Sequence, residues 1–145
     1  MNLYEYIKND HRKVDAMFKK LKSSTNAKQQ VIFKKIMHEL FIHAESEQAT
    51  FYDTLEKYKP VKTDVKHAKE EHKEIADMMN AITKMDPTSP AWLQKVIKLG
   101  ETVEHHVHEE ETEVFKDGKE YLTDEQTKQI LKDMKFYKKK VKEQF

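Results

Sequence analysis

Two segments of the chain carry the same pattern of residues, and this repeat constrains the fold more than any other feature of the sequence. Residues 43–52 align without gaps to residues 106–115, and each segment begins with a histidine that is followed four residues later by a glutamate. Upstream, Asp10-His11 corresponds to Glu71-His72, so the offsets between the copies are 63 and 61 residues. The sequence therefore predicts two copies of one unit: a helix with a single histidine, then a helix with a His-x-x-x-Glu pair.

Apolar residues recur at helical spacing through most of the chain, while only two glycines and three prolines are available for turns. Capping residues and prolines set the helix bounds. We expect five helices, with approximate bounds Leu3 to Lys22, Asn26 to before Pro60, Thr63 to before Asp86, Ser89 to Gly118, and Thr123 to Phe145. This predicts an all-α protein of one domain: an up-down-up-down four-helix bundle over about residues 1–118, with an additional C-terminal helix over about residues 123–145.

Helical phase separates the eight histidines of the chain. Four lie on apolar stripes, one on each of the first four helices: His11, His43, His72 and His106. On an ideal helix, His105 and His108 lie about 100° and 200° around from His106, so we expect both side chains to face solvent. His67 is out of phase in the same way, and the position of His38 is ambiguous.

Helical phase also ranks the carboxylates near the stripe histidines. Glu47 shares the stripe of His43. Glu110 lies about 40° from His106 and Glu111 about 140° away, which favours Glu110, although local overwinding of the helix would favour Glu111.

A single stripe histidine is more often a core residue with an ordinary hydrogen bond than a metal ligand. Two glutamates on the same stripes change this interpretation, because burial of unpaired carboxylates is strongly unfavourable and a cation would compensate their charge. The sequence therefore predicts a buried metal site with six ligands: His11, His43, Glu47, His72, His106 and Glu110.

This ordered set resembles the hemerythrin-like family, also called HHE cation-binding domains. The family pattern is a lone histidine, a His-x-x-x-Glu pair, a second lone histidine and a second such pair, on four antiparallel helices around a non-haem di-iron centre. The resemblance covers about residues 1–118. It implies two iron ions that share an oxide or hydroxide, with Glu47 and Glu110 bridging them.

Two departures from the family pattern bear on reactivity. Oxygen-carrying hemerythrins have a further histidine four residues after the one on the third helix, where this chain has Ala76. Their last carboxylate is an aspartate five residues after the histidine, whereas this chain offers Glu110 at four and Glu111 at five. We expect a centre that reacts with peroxide and oxidises in air, with the place beside Ala76 open to water, a substrate oxygen or a tyrosine such as Tyr4.

Several functions stay open at this stage. The resemblance implies a centre that binds or reacts with O2, H2O2 or NO, and catalase-like protection is one form of this. An iron- or oxygen-responsive sensing module and an iron-handling protein are the alternatives, and both would act through a protein partner that the sequence does not identify. No residue is assigned a catalytic role.

Composition limits which partners and which kinds of site the chain can have. The 27 basic and 26 acidic residues give a net charge of +1 and are interspersed, so we expect neither a nucleic acid nor a membrane as partner. Cysteine is absent, which excludes disulfides, iron–sulfur clusters and thiolate zinc sites. The N-terminus lacks a basic segment followed by an apolar run, and we expect a cytoplasmic protein.

Overall fold

The computed structural model describes residues 1–144, and Phe145, the end of the predicted last helix, lies outside them. The described residues form five long helices and no strand. Their α-helical bounds are α1 Leu3–Lys22, α2 Asn26–Glu47, α3 Lys62–Thr83, α4 Pro90–Glu109 and α5 Asp124–Lys142. The predicted all-α fold class is confirmed.

Two of the helices continue through a π-helical turn. α2 continues through Gln48–Tyr52 into the short helix Asp53–Leu55, and α4 continues through Glu110–Val114 into Phe115–Tyr121. Both π turns lie at the glutamate of a His-x-x-x-Glu pair, so they occupy nearly equivalent places in the sequence repeat. Such turns are rare inside α-helices and are frequent at functional sites.

Local capping residues set several helix starts. The side chain of Asn2 accepts a hydrogen bond of 2.8 Å from the Glu5 N–H at the start of α1. Ser89 caps α4, which opens with Pro90, as the sequence predicts. Thr123 forms the predicted capping box at the start of α5.

The end of α4 differs from the sequence expectation. Gly118 was expected to end this helix, but the helical segment continues to Tyr121. The glycine serves close packing instead, because a Cβ at this position would lie 2.6 Å from the hydroxyl oxygen of Tyr4 on α1. A larger residue at Gly118 would force the Tyr4 side chain to shift and would crowd Phe51, whose nearest ring atom would lie 3.1 Å from the same Cβ.

The first four helices form the up-down-up-down bundle. α1 packs against α2 and α4, and α3 packs against α4 and α2. The additional helix α5 packs across α1 and α2, where it buries Ile130, Met134 and Val141. None of the described helices has the length and apolar character needed to cross a membrane.

The apolar core consists of two clusters separated by a polar layer. On α1, Ile7 belongs to one cluster and Val14 to the other, with the buried His11 between them. On α4, Val103 and Val114 belong to different clusters in the same way. The stripe histidines and glutamates fill the layer between the clusters, so the bundle holds its polar groups between two well-packed ends.

Candidate metal centre

The structure brings all six predicted ligand residues together in this polar layer. Each of them is buried, and Glu47 and Glu110 are 0% and 1% exposed. Their donor atoms form two overlapping groups, and within each group all atoms lie within 4.8 Å of one another. One group is His11, His43, Glu47 and Glu110, and the other is Glu47, His72, His106 and Glu110. Both glutamates belong to both groups, which gives two adjacent places for a cation that share two carboxylates.

Each His-x-x-x-Glu pair points its donor atoms into the layer. His43 Nε2 lies 3.4 Å from Glu47 Oε1, and His106 Nε2 lies 3.7 Å from Glu110 Oε2. The lone histidines approach the same carboxylates from the other helices, with His72 Nε2 at 3.2 Å from Glu47 Oε1 and His11 Nε2 at 3.1 Å from Glu110 Oε1. The four-residue spacing on a helix, predicted to place the pair on one face, produces this arrangement.

The four imidazoles are oriented by hydrogen bonds on their outer nitrogens. The Nδ1 atoms lie 2.7–2.9 Å from four oxygen acceptors. The pairs are His11 with Glu111, His43 with Asp10, His72 with Gln48, and His106 with Glu71. An acceptor on Nδ1 keeps that nitrogen protonated in the neutral ring and turns the Nε2 lone pair inward, as in metal sites where a second layer of residues orients the ligands.

The sequence repeat explains these outer partners. Asp10 and Glu71 each precede a lone histidine, and each bonds the histidine of the His-x-x-x-Glu pair on the following helix. Gln48 and Glu111 each follow the glutamate of a pair, and each bonds the lone histidine of the other copy. The hydrogen-bond pattern therefore repeats across the two halves of the chain.

Several inward atoms lie beside one another without forming a regular hydrogen bond, and they fit a cation. These buried atoms are His11 Nε2, His43 Nε2, both carboxylate oxygens of Glu47, and Glu110 Oε1. Buried polar atoms in folded proteins are normally paired, and unpaired carboxylates are especially unfavourable. Imidazole nitrogens and carboxylate oxygens are ordinary ligands of iron and zinc. The buried cluster is able to hold a metal ion.

Without a metal, protonation compensates the carboxylates. Burial on its own would lower the pKa of His43, but Glu47 and Asp10 outweigh it and raise that pKa to about 10. Burial would also lower the pKa of His11, but Glu110 and Glu111 outweigh it and raise that pKa to about 9. Burial would raise the pKa of Glu47, but His43 and His72 bring it well below its ordinary value. A cation must therefore displace protons from His11 and His43.

Tyr52 is a residue of this site that the sequence analysis did not assign. Its hydroxyl donates a hydrogen bond to Glu110 and lies 3.5 Å from His72 Nε2. Burial, reinforced by Glu110 and Glu47, raises the pKa of Tyr52 well above 10, so the phenol keeps its proton. On a regular helix Tyr52 would lie about 140° from Glu47. The π turn between them adds a residue to the turn and brings the ring to the inner face.

Tyr4, the tyrosine considered from the sequence, lies elsewhere. Its ring packs edge-on against Phe51 and Phe115 in one of the apolar clusters. Burial, with Asp124 nearby, raises the pKa of Tyr4 to about 12. Tyr52 follows Glu47 by five residues, and the π turn Gln48–Tyr52 is what brings it to the buried cluster.

The two adjacent glutamates have different places. Glu110 faces the buried groups, whereas the Glu111 side chain is 28% exposed and accepts from His11 Nδ1. The remaining histidines also differ from the stripe histidines: His38, His67, His105 and His108 are exposed. Helical phase predicted the outward positions of His67, His105 and His108, whereas it left His38 ambiguous. The role of the six buried residues as metal ligands stays a prediction.

A cavity of about 260 Å³ adjoins the buried cluster. All four stripe histidines line it, together with apolar side chains such as Leu40 and Met79. Exposed residues of α2 and α3, including Phe41 and Ala76, line it as well. A small ligand therefore has room beside the histidines, and Ala76 is part of that space.

An all-helical bundle with a buried histidine and glutamate cluster defines a metal-binding helical-bundle protein. Residues 2–117 match the hemerythrin HHE cation binding domain. The chain belongs to this family, as the sequence resemblance implies.

Two known proteins are similar to the chain over most of its length. A hemerythrin HHE cation binding domain-containing protein from Mycobacterium kansasii has the same fold, with a TM-score of 0.85, 19% identity, and coverage of 97% of this chain and 87% of that one. A protein from Nostoc sp. named DNA nickase is 28% identical over 144 residues, or 99% of this chain. The chain spans only 41% of that relative's length.

Proposed function

We propose that the buried cluster holds two iron ions and that the resulting centre reacts with a small oxidant such as H2O2, O2 or NO. The observation that carries this proposal is the pair of overlapping donor groups that share Glu47 and Glu110. Two carboxylates common to two groups of donors suit two ions held side by side, and one ion would leave donors of the other group unpaired. His11 and His43 serve one ion, and His72 and His106 serve the other.

The chain's own residues prepare this site in three ways. The acceptors on each Nδ1 fix the imidazole orientations, so the donor geometry exists before metal binds. The cavity beside the histidines has room for a small molecule, and apolar side chains make up much of its lining. The Tyr52 hydroxyl donates a hydrogen bond to Glu110, which places a phenolic proton in the same layer as a reacting oxygen. Bound iron would supply the electron exchange with peroxide or oxygen.

Ala76 favours reaction over reversible oxygen carriage. A histidine at this position would occupy part of the cavity wall, whereas alanine leaves the space open to peroxide or water. In catalase-like turnover, two H2O2 molecules give one O2 and two H2O, so no other reductant is needed. The open space and the buried phenol together support peroxide as a substrate.

The test compares iron-loaded protein with metal-free protein. We expect peroxide loss with evolution of one O2 per two H2O2 in the loaded protein, and little of either in the metal-free protein or in a His106→Ala variant. Tyr52→Phe should keep its iron but turn over peroxide more slowly, because it removes only the hydroxyl. A stable, reversible oxygen spectrum without peroxide turnover would instead assign the chain to oxygen carriage.

The name of the Nostoc relative makes DNA a partner to test. We infer that nicking is not an activity of this chain, because its charges are balanced and interspersed and its cavity is small and apolar. A supercoiled plasmid incubated with iron-loaded protein, with catalase added to prevent radical damage, should stay intact. Nicking that persists with catalase and disappears in His106→Ala would overturn this inference.

A further inference from the structure

Two additional His-x-x-x-Glu pairs lie on α3 and α4, outside the buried centre. His67 and Glu71 are four residues apart on α3, and His105 and Glu109 are four apart on α4. Glu71, His105 and Glu109 each lie one position before a predicted ligand of the buried cluster, and His67 lies about one helical turn before Glu71. Both pairs therefore occupy a face next to the one that carries the buried cluster. Helical phase alone predicts only that His67 and His105 face solvent.

The structure turns these two pairs towards each other. Glu109 is the common partner, with Oε2 at 2.9 Å from His67 Nε2 and Oε1 at 3.0 Å from His105 Nε2. Glu71 Oε2 lies 3.5 Å from His67 Nε2 and 3.9 Å from His105 Nε2. Donor atoms of His67, Glu71 and Glu109 all lie within 4.8 Å of one another. Two imidazoles and two carboxylates thus converge from two helices.

Glu71 gives this cluster a buried component. Glu71 is 9% exposed, and its Oε1 is already used by His106 Nδ1 at 2.9 Å. Its Oε2 faces outward, towards the Glu109 carboxylate and the two exposed histidines. Two carboxylates brought together in this way repel each other, and a cation between them and the imidazoles removes the repulsion.

The spacing and chemistry of the donors suit one class of ion. Metal–donor bonds of about 2.0–2.2 Å in a tetrahedral site place neighbouring donors about 3.3–3.6 Å apart. Of the four nitrogen–oxygen distances given above, those of 2.9, 3.0 and 3.5 Å lie in or slightly below that range, with His67 and His105 facing different oxygens of Glu109. Two nitrogens with two oxygens favour zinc and similar transition metal ions, because Ca²⁺ and Mg²⁺ prefer oxygen ligands alone.

We propose that a second cation site lies at the surface and takes Zn²⁺ or a related divalent transition metal ion, with ligands His67, Glu71, His105 and Glu109. The neighbouring pocket is lined by three of these residues and also by Asp64 and Glu113, which add negative charge beside the site. His67 and His105 have side chains that are 59% and 67% exposed, so the ion exchanges directly with solvent.

The experiment uses full-length protein loaded with iron and then washed with a chelator that strips exposed sites. Isothermal titration with ZnCl2 should show about one further equivalent per chain. In His67→Ala/His105→Ala the binding should weaken at least tenfold, while the iron content stays unchanged. His108→Ala is the matched control, an exposed histidine on α4 outside the cluster, and should bind zinc like wild type. Glu71 is left intact because it also orients His106.

Circular dichroism of the double variant should be unchanged, and Glu109→Gln provides a second variant if it is not. Co²⁺ in place of zinc should give the intense visible bands of a four-coordinate site in wild type and lose them in the double variant. Zinc binding of equal strength in wild type and in the double variant would overturn the proposal, as would no zinc uptake. If the buried residues held no iron, the difference between wild type and the double variant would still report on the surface site.

Discussion

The Nε2 atoms of His72 and His106 lie 3.0 Å apart in the buried cluster. Both rings direct Nδ1 to an oxygen acceptor, Gln48 at 2.8 Å and Glu71 at 2.9 Å, which places the proton of each neutral ring on Nδ1. The two Nε2 lone pairs then face each other across a hydrogen-bond distance. They repel unless a proton or a metal ion lies beside them. This pair of histidines is arranged for a cation.

The pH dependence of stability should differ between metal-free and metal-loaded protein. In the metal-free fold the pKa values of His11 and His43 rise from 6.5 to about 9 and about 10. Their protonated forms contribute stability that is complete below pH 6.5 and is lost as the pH rises through 9 to 10. Bound metal needs neutral rings, so its contribution grows over the same range. Melting temperatures of the two forms should diverge as pH rises, and parallel curves would contradict this.

Glu110 and Glu111 should respond differently to the same substitution. Glu110→Gln removes a shared charge inside the cluster, so iron content should fall from about two towards about one per chain. Glu111→Gln leaves an amide oxygen that can still accept from His11, so iron should remain, held about tenfold more weakly. Iron analysis after competition with a graded chelator measures both. Full loading of Glu110→Gln with loss of iron in Glu111→Gln would move the ligand assignment by one residue.

Lys138 connects α5 to the buried histidine cluster. Its ammonium group donates to Asp10 Oδ2, the same oxygen that accepts from His43 Nδ1, and the Lys138 side chain is only 11% exposed. Burial would raise the pKa of Asp10, but His43 and Lys138 outweigh it and lower that pKa to about 2. This contribution to stability is present above the ordinary pKa of 3.8 and is lost as the pH falls through 2.

Lys138→Met should therefore destabilise the protein by about 2 kcal/mol and raise the midpoint of acid unfolding. Lys139→Met, an exposed neighbour on α5, is the control and should change neither. Urea unfolding at neutral pH and an acid titration by circular dichroism measure the two effects. Equal stability of the two variants would show that the contact between α5 and Asp10 is energetically unimportant.

Ala76→His should change the reactivity of the centre without unfolding it. Ala76 is an exposed residue that also lines the cavity. An imidazole at this position can therefore point inward and occupy part of that space. We expect slower peroxide loss and a longer-lived visible spectrum in oxygen that reverses when oxygen is removed. Ala81→His, on α3 but outside this cavity, is the control. Identical kinetics in the two variants would show that the cavity beside Ala76 has no effect on the reaction.

Helical phase, with helix bounds set by capping residues and prolines, predicted the bundle and the six buried side chains, because each stripe residue is separated from its neighbours by about one turn of a regular helix. Helical phase did not identify Tyr52, because a π turn is not visible in apolar spacing and shifts every later residue. It also misjudged Gly118, whose role depends on the approach of Tyr4 from another helix.

The outer partners of the histidines depend on contacts between helices. Asp10 precedes His11 in sequence but bonds His43, 33 residues away. No local pattern gives that pairing, although the equivalence of Asp10 and Glu71 in the repeat predicts that the two act alike. The convergence of His67 with Glu109 likewise requires the packing of α3 on α4.

The iron content of the protein tests the central claim most directly. Wild-type protein and His108→Ala, loaded anaerobically with ferrous salt and washed with a chelator, should each retain about two iron ions per chain, while His106→Ala should lose the iron and melt at a lower temperature. One zinc ion and no iron in the loaded wild type, or full iron retention in His106→Ala, would contradict a di-iron centre built on these residues.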